Sequence, residues 1–305
     1  MFKKELVSLI SFYAISPIHA GSSSATGAVD NPIQRERHTN WPVIQASAVK
    51  GAMRSHFRRF FKLNEAEGKE KLEKKDDFTN YIFGSDEEND NWKGDSAIPG
   101  ALSVSDAKLL AFPVRSNIAP FVWVVSPAIL KRLKRDLEFL NYDDIAKDLD
   151  NFEVKDEKAI AFGNWIKKGE KVILEDGIVE INETKVIPKI FQEYFDYIDK
   201  LLLISDDMFK YVVENCTEIQ AQIKIDEETG TTKDGSLRYE ELLPSDTLLY
   251  SVVYVSDTAE NKLNAEGVLN NVKLAIKDFI QLGGDETLGR GICKIKWISN
   301  DGGDK

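Results

Sequence analysis

Leu248-Leu249-Tyr250-Ser251-Val252-Val253-Tyr254-Val255 is a nearly unbroken apolar run. A strand covered on both faces reads this way, so the run predicts a central strand. Downstream, Val268, Leu269, Val272, Ile276 and Phe279 recur at helical spacing and predict an amphipathic helix that stops at Gly283-Gly284. Ile292–Trp297 alternates and predicts a closing strand. The other end of the chain repeats this order. Residues 5–15 read as a strand. Residues 46–62 read as a helix on Ala46, Val49, Met53, Phe57 and Phe60, with Ser47 placed to cap its first turn. Leu109–Val114 and Phe121–Val125 read as two more strands. Strand, helix and strands at one end, and strand, helix and strand at the other, predict an α+β fold of ferredoxin-like units.

Between these elements the text is less regular. Residues 20–45 are dense in Gly, Ser and Pro, including Asp30-Asn31-Pro32 and Trp41-Pro42, and read as a long loop of the kind that is usually functional or disordered. Residues 64–96 form a charged insertion, partly helical around Lys69–Phe83. A helix from Pro127 to about Leu140 follows the second strand, with proline at a tolerated first-turn position. Residues 141–200 resist ordering. Residues 217–243 predict a long hairpin: Ile219, Ala221, Ile223 and Ile225 alternate, and Asp226 to Ser236 supplies turn residues. No repeat period is visible.

Composition narrows the function classes. The 305 residues are 42% hydrophobic and 30% charged, enough for a large core, with a net charge of −11. That total alone argues against nucleic-acid binding. Two cysteines, Cys216 and Cys293, make neither a disulfide framework nor a CxxC metal site and fit a reduced, cytoplasmic setting. The apolar run Leu6 to Ile15, after Lys3 and Lys4 and before Ala20-Gly21, reads either as a signal peptide or as a first strand, with Glu5, Ser8 and Ser11 interrupting the apolar region that a signal peptide needs. No stretch approaches the ~20 apolar residues of a membrane span.

Four features could carry chemistry. From Arg35 to Lys62 seven basic residues (Arg35, Arg37, Lys50, Arg54, Arg58, Arg59, Lys62) stand against Glu36 alone, a local charge of +6. Lys50, Arg54 and Arg58 lie at i, i+4 and i+8 and make one helical stripe, suited to a phosphate backbone or simply to water. Leu282–Gly291 holds Gly283, Gly284, Gly289 and Gly291 with Arg290. Read as helix–loop–strand it is the reverse of a P-loop, yet its amides could meet phosphates; a helix cap and turn is the plain alternative. His19 stands just before the long loop and Asp30 within it, eleven residues on. Cleavage of RNA by its own 2′-hydroxyl needs a proton acceptor, a proton donor and charge stabilisation, which a carboxylate, a histidine and Mg²⁺ can supply; ordinary turn chemistry would also explain Asp30. Finally, Glu240 and Glu241 lie on the returning arm of the hairpin.

Together these stretches resemble a known family. Gly27–Glu36, Trp41–Ile44, Ser47–Arg54, Leu237–Pro244 and Leu282–Gly291 look like the repeated backbone RAMP subunit of type III-B CRISPR (Cmr) complexes, with matches along the whole chain. The resemblance implies one elaborated palm domain over 1–305, RRM-like, with a protruding thumb hairpin at about 217–243. It implies copies stacked into a helical filament along a guide crRNA, with other Cmr subunits, and cleavage of single-stranded target RNA at regular intervals. That cleavage would depend on a divalent metal, Mg²⁺ or Mn²⁺. Asp30 matches the family's essential acid, and His19 a histidine near the site. Glu240 and Glu241 fall on a segment implicated near the cut. Lys50 and Arg54 match guide-backbone contacts, and Gly51, Arg58, Arg35, Arg37, Gly283, Gly284, Gly289, Arg290 and Gly291 join them as expected RNA contacts. Taken with His19, the first motif spans Ala20, so cleavage of a leader there would sever it. Local positive charge then suffices for one RNA groove in an acidic chain. Other readings of the same residues are an RNA-binding scaffold without catalysis, a metal-independent guide-processing nuclease, and a secreted binding module.

Overall fold

The structure, a computed structural model, describes residues 6–22, 29–63, 75–85, 98–149, 152–259 and 263–298. In chain order the first half comprises β1 (Val7–Ala14), β2 (Val43–Ile44), α1 (Ala46–Leu63), α2 (Lys75–Phe83), β3 (Leu102–Val104), β4 (Ala107–Arg115), β5 (Phe121–Val125), α3 (Pro127–Phe139) and α4 (Asp143–Ala146). The second half comprises β6 (Lys158–Phe162), β7 (Lys171–Leu174), β8 (Gly177–Lys185), α5 (Lys189–Tyr194), β9 (Leu201–Ile204), α6 (Asp206–Asn215), β10 (Glu218–Gln222), β11 (Arg238–Leu242), β12 (Leu248–Val255), α7 (Ala265–Ala275), β13 (Phe279–Gln281) and β14 (Ile292–Ile298).

The centre of the main sheet runs β14-β1-β12-β4, each neighbour antiparallel. With α1 between β1 and β4, and α7 between β12 and β14, this is the ferredoxin-like order: fourth, first, third, second. The apolar run near the N-terminus is therefore a core strand, paired on both sides, with Leu9, Ile10 and Phe12 wholly buried. The run Leu248–Val255 is its central partner, as its lack of alternation requires. α1 packs beside α7 and buries Val49, Met53 and Phe57. Where α3 meets β4, the buried Asp136 accepts hydrogen bonds from Lys108 Nζ (2.6 Å), Tyr250 Oη (2.9 Å) and the Arg135 guanidinium. Burial alone would raise its pKa; the bonds from Lys108, Arg135 and Tyr250 hold it below the ordinary carboxylate range.

Residues 121–204, which include the stretch the sequence left unordered, extend the same sheet as β5-β9-β6-β8-β7. Its parallel pairs, β5 with β9 and β6 with β8, join strands that are not consecutive in the chain, an order that local pattern does not encode. The thumb is a separate antiparallel pair, β10 with β11, in register Gln220↔Glu240. Among the described residues no helix is long and apolar enough to cross a membrane.

Three expectations change. α7 ends at Ala275, and Phe279 is exposed on β13. The 3.6-residue spacing ran on by coincidence through Ile276 into the next strand, so the glycine segment closes a β13–β14 hairpin and does not follow a helix. Ser47 lies inside α1, and the amide of Ala46 is satisfied by Asp106 Oδ1 at 2.7 Å. Within the charged insertion the described part is the helix Lys75–Phe83 and Gly84–Ser85; 64–74 and 86–97 lie outside the described residues.

Candidate nucleic-acid interface and cleavage site

The long loop after β1 is fastened to the root of the thumb. Ile18 and Leu243 exchange backbone hydrogen bonds at 2.9 Å. The loop then turns back on itself, with Gln34 N donating to Ala20 O (2.8 Å) and Ser22 N to Pro32 O (2.9 Å). Asn31 lies parallel to β11: its N–H donates to Tyr239 O (3.1 Å), and Glu241 N donates to Asn31 O (3.0 Å). Asp30 sits at the head of this ladder. Its Oδ2 accepts from Tyr239 N at 2.7 Å, and the residue is otherwise exposed. One carboxylate oxygen is thus oriented by the thumb backbone while the side chain faces solvent.

Glu241, expected to assist beside the cut, is instead a structural tie. It is 7% exposed. Its Oε1 accepts from Arg35 (2.6 Å) and Thr217 Oγ1 (2.9 Å), and its Oε2 from Ile33 N (3.0 Å). Arg35, expected to contact RNA, is committed to the same tie. Besides Glu241, its guanidinium donates to Asn40 O and Val213 O, both at 3.0 Å. Acid and base together join the Asp30 loop, the thumb and the end of α6.

Glu240 and His19 occupy the other side of β11. His19 Nδ1 lies 2.8 Å from Glu241 O, which can only accept, so Nδ1 carries a proton. Its Nε2 is 3.4 Å from Glu240 Oε1. Glu240 is buried; desolvation raises its carboxyl pKa, the facing Asp285 adds to the rise, and His19 and Arg238 oppose it. The glycine loop closes over this pair. Gly284 N donates to His19 O at 2.8 Å. Gly283 has φ +86, and a Cβ there would stand 2.4 Å from His19 O, so glycine is required by the protein's own backbone. Gly291 N donates to Pro17 O (2.9 Å), and Arg290 donates to Gln220 on the thumb. Gly284 and Gly289 remain exposed.

The basic stripe divides into two groups. Arg54 donates to Gly84 O and Asn80 Oδ1, both at 2.8 Å, and so holds the end of α2 onto α1. Lys50 is half-buried, and burial, then Arg54, lower its pKa. Arg58 is also half-buried, whereas Arg37 and Gly51 are exposed. A Cβ on Gly51 would meet nothing within 4 Å, so no protein contact demands glycine there. Arg59, absent from the stripe as read, is exposed and pairs with Glu286 of the glycine loop at 2.5 Å. The structure thus brings Asp30, His19, Glu240 and the glycine loop together around β11, with α1 linked to it through Arg59. Sequence reasoning missed Asp285, Thr217 and Gln222. The Gly-Gly-Asp run was a signal for Asp285, read only for its glycines.

Among the described residues no group of three or more His, Cys, Asp or Glu could hold a metal. The donor set fits a divalent ion in one mode only, through Asp30, with water and a substrate's phosphates completing the shell.

A family model described as the RAMP superfamily matches residues 11–294. The chain is 38% identical over 310 residues to the CRISPR system Cmr endoribonuclease Cmr4 of Pyrococcus furiosus, covering 97% of each. It is 26% identical to the CRISPR system CMR subunit Cmr4 of Saccharolobus solfataricus, covering 94% of this chain and 95% of the relative. Oligomeric Cmr4 from Pyrococcus furiosus superposes with a TM-score of 0.67 at 32% identity, over 96% of this chain and 98% of that one. A chain of a type III-B Cmr-beta complex bound to cognate target RNA superposes with a TM-score of 0.75 over 95% and 96%; at 24% identity that likeness speaks for the fold.

Proposed function

Because the chain belongs to the RAMP superfamily, in its Cmr4 group, we propose that it is a guide-RNA-binding backbone subunit of a type III-B CRISPR effector complex that cuts target RNA at Asp30. The relative at 38% identity is named an endoribonuclease, and the oligomeric Cmr4 structure and the Cmr-beta complex with target RNA make further copies of this chain, other subunits and target RNA its natural partners. The cytoplasm, where transcripts are made, is the corresponding location.

One observation carries the catalytic reading: Asp30 is an exposed carboxylate in a loop that is otherwise tied down by backbone bonds to the thumb. Cleavage requires the attacking 2′-oxygen to lose a proton and the leaving oxygen to gain one. Asp30, fixed by Tyr239 N, presents its side chain where the thumb root meets solvent. It is the residue that would accept the proton or hold the Mg²⁺ or Mn²⁺ ion. A bound divalent ion would supply charge stabilisation for the phosphorane-like transition state. His19, with Nδ1–H pinned, presents Nε2 beside Glu240 Oε1, and that nitrogen is the one that could exchange a proton. Base pairing with the guide reads sequence, and the protein holds shape and phosphates. Lys50, Gly51, Arg37, Arg58 and the exposed side of the glycine loop are the surfaces for that task. Arg35 and Arg54 serve it indirectly, by holding the loop and α2.

The scaffold reading uses the same basic helix and glycine loop but needs no acid at position 30. The test is the reconstituted complex with wild type or Asp30→Ala, with Mg²⁺ and with EDTA, measuring target cleavage and target binding in parallel. Regularly spaced products from wild type, and binding without cleavage by the variant, are expected. A variant that cuts as well as wild type makes this chain a scaffold and moves catalysis to a partner.

A further inference from the structure

The β13–β14 hairpin at the edge of the main sheet has two unlike faces. Ile280, Cys293 and Ile295 are buried, and Trp297, on the same side, lies against α7 with its Nε1 donating to Ile276 O at 2.7 Å. The alternate residues point to the opposite face. There Phe279 pairs with Lys294, and Gln281 with Ile292. On the other side of β14, Lys294 pairs with Tyr13 and Lys296 with Ser11 of β1. Residues paired directly across strands share a face, and this one is open. Phe279 is 51% exposed and Ile292 40%. Ile15, whose amide donates to Ile292 O at 2.8 Å, is 48% exposed. Lys294 and Lys296 are exposed, about 7 Å apart by strand rise.

The charge on this face calls for an anion. The chain has 51 acidic residues against 40 basic ones, yet among the described residues neither Lys294 nor Lys296 has a carboxylate partner. Lys294 Nζ instead lies 5.6 Å from the ring centre of Tyr197, which is packed on Tyr13 at 4.4 Å between centroids. Neighbouring cations without a counter-charge repel, and an anion laid across both relieves the repulsion. The position of the face says which anion. Its two strands are joined by the glycine loop, which closes over His19 beside Asp30. Gln281, on the open face, donates from Nε2 to Gly283 O at 3.0 Å. Phe279 is four residues from Gly283, about 13 Å at strand rise.

We propose that the open face of the β13–β14 hairpin is a second binding site for single-stranded RNA, continuous with the glycine loop: an unpaired base stacks on Phe279, and Lys294 and Lys296 hold the adjoining phosphates. The proposal rests on the reading of this chain as an RNA-binding subunit and extends it to a surface away from α1 and the thumb. An unpaired base offers a flat apolar ring to the exposed phenylalanine, and its backbone supplies the negative charge that the two lysines lack. Ile15 and Ile292 border the stacked base on its loop side. No base identity is read here, because stacking and phosphate contacts accept any sequence.

The test uses the full-length chain and a fluorescein-labelled oligouridylate, with binding read by anisotropy over a range of salt. A 4-thiouridine version of the same RNA is photocrosslinked and the attached peptides are mapped by mass spectrometry. Phe279→Ala should weaken binding about fivefold or more, the loss of one stacked base. Phe279→Leu, which keeps an apolar side chain but no ring, should weaken it as well, and Phe279→Trp should keep it. The double variant Lys294→Gln, Lys296→Gln should lower the slope of log affinity against log salt by about 1.4, at about 0.7 per phosphate contact. Crosslinks should fall on the peptide carrying Phe279 and disappear in Phe279→Ala. All these side chains are exposed, so melting temperatures should stay at the wild-type value; if Phe279→Ala does not fold, the lysine pair and the crosslink map decide. If wild type binds but these variants bind equally well, with the same salt slope and no crosslink on this hairpin, the platform is overturned and the RNA-binding reading stands. If, in addition, the variants fail to enter the reconstituted complex, the face is a protein contact. A wild-type chain that binds no oligouridylate overturns both. Equal binding by Phe279→Leu and wild type also overturns the stacking.

Discussion

Replacing Glu241 by alanine should cripple the site without touching RNA. One buried carboxylate satisfies three donors, Arg35, Thr217 and Ile33 N, at 2.6, 2.9 and 3.0 Å. Arg35 and Glu241 are 16% and 9% exposed at the side chain, so solvent screens the pair weakly. Adding the separate values of three such bonds would overcount, because they share one acceptor group. The cost of stranding one partner of a buried ion pair, about 3–5 kcal/mol, is the better measure. At about 2 °C per kcal/mol for a long chain, the melting temperature should fall by about 6–10 °C. Ile33 is three residues from Asp30, so the same change frees the loop that aims the acid. Thermal melting of the purified chain, with target cleavage measured well below the transition, tests both parts. Glu241→Gln, which keeps an oxygen for Ile33 N, should fall between wild type and alanine in both. A Glu241→Ala protein that melts with wild type yet fails to cut would put Glu241 in the chemistry and refute the tie. One that melts low but cuts normally when folded would refute the link to Asp30.

Gly51→Ala should raise helix stability by about 0.5–1 kcal/mol, since α1 has open space at that Cβ, and should weaken guide-RNA binding if the backbone of the RNA runs there; melting and salt-dependent binding assays read the two signs separately. Gly283→Ala should cost at least about 1–2 kcal/mol from its left-handed backbone alone, with the 2.4 Å approach to His19 O adding to it, and cleavage should drop with it. Asp136 has a folded-state pKa below its unfolded one, so it stabilises the fold above the ordinary carboxylate range and loses that contribution as pH falls through the folded value. Melting temperature should therefore decline on acidification, and Asp136→Asn should flatten that acid-side slope while lowering stability at neutral pH, where Lys108 is left without its partner.

What was legible in the sequence was what local chemistry repeats. Leu248–Val255 announced a central strand because both its faces are apolar, and Ile219–Ile225 announced a hairpin arm by alternation. Phe279 failed for the same reason those succeeded: its spacing from Ile276 satisfies a helix, and only pairing with Lys294 on β14 makes it a strand. The N-terminus of α1 shows the limit from the other side. Ser47 is a good capping residue, but Asp106, sixty positions away, reaches Ala46 N first. Residues 158–185 were unreadable because β6 skips the intervening β7 to pair with β8 in parallel and takes β9 as its other, antiparallel neighbour, an order that local pattern does not encode.

The site divides along the same line. Residue type and motif placed Asp30, His19, Glu240 and the glycines in one list, and the fold does gather them around β11. Roles within the list depend on distances that sequence does not carry. Arg35 and Glu241 are as charged as Arg37 and Asp30, yet burial turns the first pair into a brace and exposure leaves the second pair available. The glycines divide likewise, Gly283 and Gly291 serving close approach to the chain's own backbone and Gly284 and Gly289 facing out. A charge count of +6 on the segment around α1 therefore overstates the charge open to RNA, because Arg35 and Arg54 are held within the protein and Arg59 is paired with Glu286. The salt dependence of guide binding should accordingly be shallower than that count suggests, and it should steepen when Glu286 is neutralised and Arg59 is released.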